Sequence, residues 1–255
     1  MKIVVLVKVI PKNIEFDKQL KRIKRSSESV INPTDFITLS AAIELKNKFG
    51  FYVDVVSMAP LSAKDVLSKL FDYGVDRVFL LSHMLFANSD VYATSNVISK
   101  FIQNFDNDYD YVFAHNFSSD GLTGVLPGEV ASKLSILYIS NVLQVDYESN
   151  FLVVDKLDKD EINRFRIKNK ALVSFSNESK KKALPSLYYA FNPNEKTVEI
   201  FSNDVLKLDG SEVGSDGSKT IVKDIFDLRS NFQSDLITEN GDKIIAEILS
   251  KEVQQ

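Results

Sequence analysis

Short apolar runs alternate with longer stretches whose apolar residues recur every three to four positions, and this alternation fills the first half of the chain. Ile3 to Val7 is continuously apolar, as in a strand covered on both faces, and Pro11 ends it. Phe16 to Ser29, dense in Lys and Arg, predicts an exposed excursion. Ile31-Asn32-Pro33-Thr34-Asp35-Phe36 then opens a helix. Thr34 stands in the N-cap position, Asp35 in the first turn, and Phe36, Leu39, Ala42 and Ile43 share a face until Gly50. Phe51 to Ser57, Arg77 to Leu81 and Tyr111 to His115 predict three more strands. Between them lies a helix capped by Ser62, with Val66, Leu67, Leu70 and Phe71 inward until Gly74. A second helix begins at Ser89-Asp90 and carries Val97, Ile98, Phe101 and Ile102 on one side.

Repeated strand-to-helix switches of this kind predict an α/β fold, a mostly parallel Rossmann-like sheet flanked by helices. After Leu134 the rhythm changes. Val142 to Glu148 and Phe151 to Leu157 alternate around Ser149-Asn150, and β-like runs follow at Arg164 to Lys168 and Ala171 to Ser176, which together predict an antiparallel addition. Leu208 to Lys219 holds three glycines with Ser and Asp, a linker composition. Gly241 to Ser250 predicts a last helix with Ile244, Ile245 and Ile248 on its apolar side. A lone terminal helix cannot bury such a stripe, so it folds back or packs on another chain. The expected division is an α/β domain over 1–203 and a linker with a C-terminal arm over 204–255.

Composition narrows the chemistry. The 255 residues are 44% hydrophobic and 26% charged, which suits a globular chain and excludes disordered and fibrous classes. A net charge of −4 supplies no global field for nucleic acid or anionic lipid, and the many aromatics fall at core-facing spacings. Without cysteine there are no disulfides, thiol nucleophiles or thiolate metal sites, and the two histidines, His83 and His115, suggest no metal centre. The first apolar stretch is too short for a signal peptide and no run approaches a membrane span, so the expected location is the cytoplasm.

In an open parallel sheet ligands bind beyond the carboxyl ends of the strands. The loop after the fourth strand, Asn116-Phe117-Ser118-Ser119-Asp120-Gly121-Leu122-Thr123-Gly124-Val125-Leu126-Pro127-Gly128-Glu129, runs straight into a helix. Its glycines permit close backbone approach, free N–H groups supply donors and Thr123 adds a hydroxyl, the parts of a phosphate cradle. A plain turn capped by Ser119 or Asp120 accounts for the same residues equally well. A Walker loop and a dinucleotide fingerprint are both absent. His115 ends the fourth strand beside this loop. Asp90 is explained by capping, and His83 carries no role.

Several segments in order give the chain a family likeness. They are Lys2 to Lys8, Ile31 to Phe36, Val56-Ser57-Met58-Ala59-Pro60, Gly74-Val75-Asp76-Arg77, Asn88-Ser89-Asp90 with Ala93-Thr94, Asp120 to Gly124, and Asn177-Glu178 followed by Ala183-Leu184-Pro185-Ser186-Leu187. With these the chain resembles the beta (small) subunit of electron transfer flavoproteins. The resemblance implies an adenine-nucleotide-alpha-hydrolase-like sheet and a non-catalytic electron-carrier subunit. Its partner would be an alpha subunit that holds FAD, and the pair would relay electrons between flavin dehydrogenases, such as acyl-CoA dehydrogenases, and an acceptor such as a membrane quinone oxidoreductase. It further implies bound AMP in the beta subunit, or a second FAD in electron-bifurcating members that take hydride from NADH.

By motif match the nucleotide pocket comprises Leu6, Asn32, Met58, Ser119, Asp120, Gly121, Leu122, Thr123, Gly124, Val125 and Leu126. Leu122 and Val125 replace polar residues usual in the family, so backbone donors take a larger share. The resemblance also implies a partner-recognition loop over 177–187, with Leu184 as anchor beside Pro185 and with Lys180, Lys181 and Lys182 steering it toward an acidic partner. Taken without the family, the same segment reads as an ordinary helix start at Pro185 with a solvated lysine run. A stand-alone adenine-nucleotide sensor of the universal-stress-protein type is the alternative from another class; the antiparallel insert and the Leu184 segment argue against it.

Overall fold

The apolar N-terminal run forms the centre of a nine-stranded sheet in a computed structural model that describes residues 1–17, 22–25, 28–179, 181–192 and 195–220. In chain order the first strands are β1 (Lys2–Leu6), β2 (Val9–Pro11), β3 (Ile14–Asp17), β4 (Arg22–Arg25), β5 (Ser29–Ile31), β6 (Tyr52–Met58), β7 (Arg77–Leu81) and β8 (Tyr111–His115). They are followed by β9 (Leu137–Glu148), β10 (Phe151–Asp158), β11 (Glu161–Ile167), β12 (Ala171–Phe175) and β13 (Glu199–Phe201). The helices are α1 (Asp35–Phe49), α2 (Lys64–Ser68), α3 (Val91–Phe105), α4 (Leu126–Leu134), α5 (Leu187–Phe191), α6 (Asn203–Leu206) and α7 (Gly214–Gly217).

The sheet order is β11-β10-β9-β12-β8-β1-β6-β7-β13. In that order every pair from β9 through β12, β8, β1, β6 and β7 to β13 is parallel, and β10 alone runs against the sheet, so that its pairs with β9 and β11 are antiparallel. Alternate side chains divide the core between the two faces. Ile3, Val5, Val55, Leu80, Phe113 and Val173 pack under α1 and α2, while Val4, Leu6, Val56, Phe79, Val112 and Leu172 pack under α3 and α4.

Two expectations are corrected. Ala171–Phe175 is not part of the antiparallel addition: it lies parallel between β8 and β9 and is buried throughout, as a strand covered on both faces must be. Nor does the glycine-rich stretch from Leu208 to Lys219 act as a linker. Leu206 and Val213 enter the core, and Gly214 (φ +62°) lies where a Cβ would stand 2.2 Å from the Leu85 carbonyl oxygen. Its N–H donates to Ser89 Oγ at 3.0 Å. The glycine serves close approach rather than flexibility. Asp90 does more than cap α3: besides the Ala93 N–H it accepts from the Lys219 and Thr220 N–H groups and from Thr220 Oγ1. Part of the excursion forms the β3–β4 hairpin. The predicted helix at Gly241 to Ser250, the arm beyond Thr220 and Lys180 lie outside the described residues. No helix among the described residues is long and apolar enough to cross a membrane.

At the amino ends of the strands Lys2 is buried between Asp54 and Asp106, both fully buried, and Asp108. Arg77 closes the network with bonds to both Asp54 oxygens. Opposite charges clustered this tightly compensate one another's desolvation and fix the lower rim of the sheet. The upper rim is left to the loops.

Candidate functional site

From β1 the chain moves to β6 and β7 on one side, then crosses to β8 on the other, so the direction of winding reverses between the carboxyl ends of β1 and β8. Lys8 and the loop from Asn116 to Val125 line this crevice. Asn116 continues the ladder by donating its N–H to the Phe175 carbonyl at 2.9 Å. His115 Nδ1 donates to the Phe117 carbonyl at 2.8 Å, where the chain turns out of the sheet. Leu122 and Gly124 then take positive φ of 49° and 65°. At Gly124 the positive φ favours glycine, and a Cβ would in addition stand 2.6 Å from the Phe117 ring.

Asn32 is fully buried and ties three segments together. Its backbone N–H donates to the Lys8 carbonyl at 2.8 Å, and its Nδ2 donates to Thr34 Oγ1 and Asp35 Oδ1, each at 2.8 Å. Its Oδ1 accepts from the Ser119 N–H at 3.2 Å and from Ser119 Oγ at 3.0 Å. Asp35 Oδ2 accepts from the Lys8 N–H at 2.7 Å. Across the crevice Lys8 Nζ lies 2.6 Å from Asp120 Oδ1 and 3.2 Å from Ser118 Oγ. Seven residues, Lys8, Asn32, Thr34, Asp35, Ser118, Ser119 and Asp120, are thus joined, the Lys8 backbone N–H linking the Asn32–Asp35 group to the Lys8–Asp120 pair.

The electrostatics differ within it. Burial pushes the Asp35 carboxyl up to about 7, against the opposing pull of the Lys8 N–H and Asn32. Burial also pushes Asp120 upward, but the hydrogen bond and charge of Lys8 outweigh it and hold Asp120 below the ordinary carboxylate value. His115 is pushed down by burial, only partly offset by the Phe117 carbonyl, while the Lys182 charge pushes it further down. Among the described residues its Nε2 has no hydrogen-bond partner.

The expected pocket residues fall into three groups. Leu6 lies at the carboxyl end of β1 within the core under α3, and Met58, partly buried at the carboxyl end of β6, packs against that core. Asn32, Ser119 and Asp120 join the cluster directly. Gly121, Leu122, Thr123 and Val125 form the exposed outer part of the loop, with Gly124 half-buried and Leu126 packed against the core. Lys8 and Asp35 were not among the expected site residues. A cation immediately after a buried central strand is the signal for Lys8. Asp35 stands where a first-turn acid would serve the helix dipole, which conceals its bond to the chain after β1.

The Leu184 segment is pinned to the body. The Ala183 N–H donates to the Phe36 carbonyl at 2.9 Å and the Ser186 N–H to the Asp72 carbonyl at 2.7 Å. Leu184 remains 83% exposed, Pro185 and Lys182 are exposed, and Lys181 pairs with Glu44 at 2.7 Å. The helix begins at Leu187, two residues beyond Pro185. Two cavities, of about 360 and 510 Å³, lie elsewhere. One sits between α1 and β9–β10, the other at the amino rim beside Lys2 and Arg77.

Comparison with known proteins identifies the lineage. The electron transfer flavoprotein domain family matches residues 21–180. The beta subunit of the electron transfer flavoprotein of Thermoanaerobacterium thermosaccharolyticum is 34% identical over 226 residues, covering 87% of this chain and 86% of the relative. That of Clostridium acetobutylicum is 29% identical over 254 residues, covering 98% and 97%. The acryloyl-CoA reductase electron transfer subunit gamma of Anaerotignum propionicum is 27% identical over 215 residues, covering 82% and 78%. With a family match across most of its length and relatives aligned almost end to end, the chain belongs to the electron transfer flavoprotein family as a beta-type subunit.

Proposed function

We propose that this chain pairs with an FAD-holding alpha subunit and relays electrons from flavin dehydrogenases to an acceptor such as a quinone oxidoreductase, with AMP held at the β1–β8 crevice. The observation that carries the nucleotide part is the Lys8–Asn32–Ser119–Asp120 cluster at the reversal point of the sheet. Its donor set fits a phosphate: a lysine ammonium, side-chain hydroxyls and a loop whose glycines allow close approach. Lys8 is already paired to Asp120, and Asp35 carries partial charge near neutral pH. That balance suits a single phosphate better than a pyrophosphate, which favours AMP over a second FAD. A phosphate entering here takes over Lys8 from Asp120. The exposed apolar Leu122 and Val125 leave recognition to the backbone N–H groups of the loop, which buried Asn32 holds in place through Ser119.

FAD, when bound in the heterodimer, supplies the electron-transfer chemistry. This chain's residues position the nucleotide and present the docking segment. Support for an acyl-CoA-type dehydrogenase as partner comes from the relative named as an electron transfer subunit of acryloyl-CoA reductase. The testing experiment is co-expression with the neighbouring alpha-type subunit, denaturation of the purified complex and chromatographic quantification of released nucleotides. One FAD and one AMP per pair supports the reading. Two FAD moves the chain to the bifurcating type, FAD alone removes the nucleotide role, and failure to form a flavin-containing pair overturns the proposal.

A further inference from the structure

The loop at the crevice leaves β8 at Asn116 and enters α4 at Leu126, and one tyrosine outside it bears on both ends. At the start, Asn116 is buried and its side-chain amide is engaged on both sides. Its Nδ2 donates to Asn141 Oδ1 at 2.6 Å, and its Oδ1 accepts from Ser174 Oγ. Ser174, fully buried on β12, has a single hydroxyl proton and gives it to Asn116, so the Tyr138 hydroxyl, 3.0 Å away, is the donor to Ser174. The bonds therefore run in one direction, from Tyr138 through Ser174 and Asn116 to Asn141.

The backbone of β9 is shaped for this reach. Val173 pairs with Ile139 and Phe175 with Val142, so Ser140 and Asn141 together stand opposite Ser174 alone. A bulge of this kind re-aims a side chain. Asn141 takes a φ of 58° there, and its amide meets Asn116.

Tyr138 reaches the far end of the loop with its ring. A Cβ at Gly128, in the first turn of α4, would stand 3.4 Å from Tyr138 Cε1, so the ring rests against the helix. With its hydroxyl tied to the start and its ring to the end, Tyr138 is a strut across the loop. Within that span the Gly121 and Leu122 N–H groups donate to the Ser118 carbonyl at 3.3 and 3.0 Å, and Leu122 and Gly124 hold left-handed φ. Fixing both ends lowers the ordering cost that the loop would otherwise incur on closing around an anion.

We infer that Tyr138 and Ser174 are positioning residues for the nucleotide: through Asn116 and Gly128, rather than by touching the phosphate, they hold the loop in its binding conformation and so set the affinity for AMP. This rests on the nucleotide reading proposed above and adds to it residues of β9 and β12 that lie outside the crevice.

The test uses the chain co-expressed with its alpha-type partner and dialysed free of nucleotide. AMP affinity is measured by isothermal titration calorimetry, and amide hydrogen exchange is followed by mass spectrometry. Tyr138→Phe keeps the ring on Gly128 and removes only the hydroxyl, while Ser174→Ala removes the next link. Each should weaken AMP binding about 3–10-fold, the range that one hydrogen bond supplies. The double variant should bind no more weakly than the weaker single one, because both act through one chain of bonds. In the nucleotide-free variants the segment containing Gly121 and Leu122 should exchange about 3–10-fold faster, with β1 and β8 unchanged. Tyr147→Phe, which removes the hydroxyl that reaches Asn150 from the same strand, should move neither readout.

Native AMP affinity in both variants overturns the inference and leaves the nucleotide reading standing. So does weaker binding with equally faster exchange in β1 and β8, the mark of general loosening, and so does full additivity in the double variant. A native pair that binds no AMP overturns both.

Discussion

Asp35 makes the charge state of the crevice depend on pH near neutrality. The residue is 5% exposed, its carboxyl accepts from the Lys8 N–H and Asn32 Nδ2, and burial moves it from 3.8 to about 7. Folded, the group holds its proton more tightly than unfolded, so its contribution to stability is greatest below about pH 4. It declines as pH rises through the interval to about 7 and is constant above it. The interval corresponds to roughly 4 kcal/mol at 1.36 kcal/mol per tenfold change in proton affinity.

The assay is urea unfolding between pH 4.5 and 8.5, on the native chain and on Asp35→Asn, both followed by circular dichroism. The amide keeps one acceptor oxygen but loses the second, which costs about 1–3 kcal/mol at low pH. It carries no charge to bury. The variant should therefore start less stable at pH 4.5 and match or exceed the native chain by pH 8.5. Taking the difference between the two curves removes the contributions of Asp106 and His115, which both retain. Parallel curves across the range, or a native chain that gains stability relative to the variant as pH rises, would refute the reasoning.

Other outcomes follow from the same geometry. Lys8→Met should leave thermal stability nearly unchanged, since the side chain is 45% exposed, yet lower AMP retention by about 10–100-fold in equilibrium dialysis of the complex. Gly124→Ala combines a positive φ with a clash on Phe117 and should lower melting temperature, costing about 1–3 kcal/mol, with loss of AMP. Gly50→Ala, with open space around the added Cβ, should lose only about 1 kcal/mol and keep AMP. Lys2→Met leaves Asp54 and Asp106 buried with Arg77 as their remaining cation and should cost about 3–5 kcal/mol in urea unfolding. Gly214→Ala should expose the segment around Val213 to limited proteolysis while leaving the β1–β8 crevice intact.

Local pattern made the parallel half of the fold legible. Arg77–Leu81 and Tyr111–His115 are strands at the predicted bounds, and Val97, Ile98, Phe101 and Ile102 line the core as their spacing requires. What stayed hidden is set by contacts distant in sequence. Ala171–Phe175 is apolar in either orientation, and only its insertion beside Tyr111–His115 makes it parallel. Gly214 looks like a flexible residue until Leu85 is placed against it. Among the site residues, Asn32 and Ser119 were expected and are joined by hydrogen bonds. Lys8 and Asp35 were missed because each has an ordinary local explanation and acquires its place only through the other's backbone or a loop more than a hundred residues away.

The position of β12 also governs the order in which the chain can be assembled. β9, β10 and β11 are synthesised before it, yet in the sheet they reach the body only through the pairing of β9 with β12. As the polypeptide emerges, the β9–β11 meander can pair within itself, but it has no seat on β8 until residue 171 and beyond have left the ribosome. The open edge of β8 must stay free through the synthesis of those strands. Completion of the sheet is then a late, long-range step, and a chain truncated before Ala171 loses the strand that joins the ladder of the meander to β8.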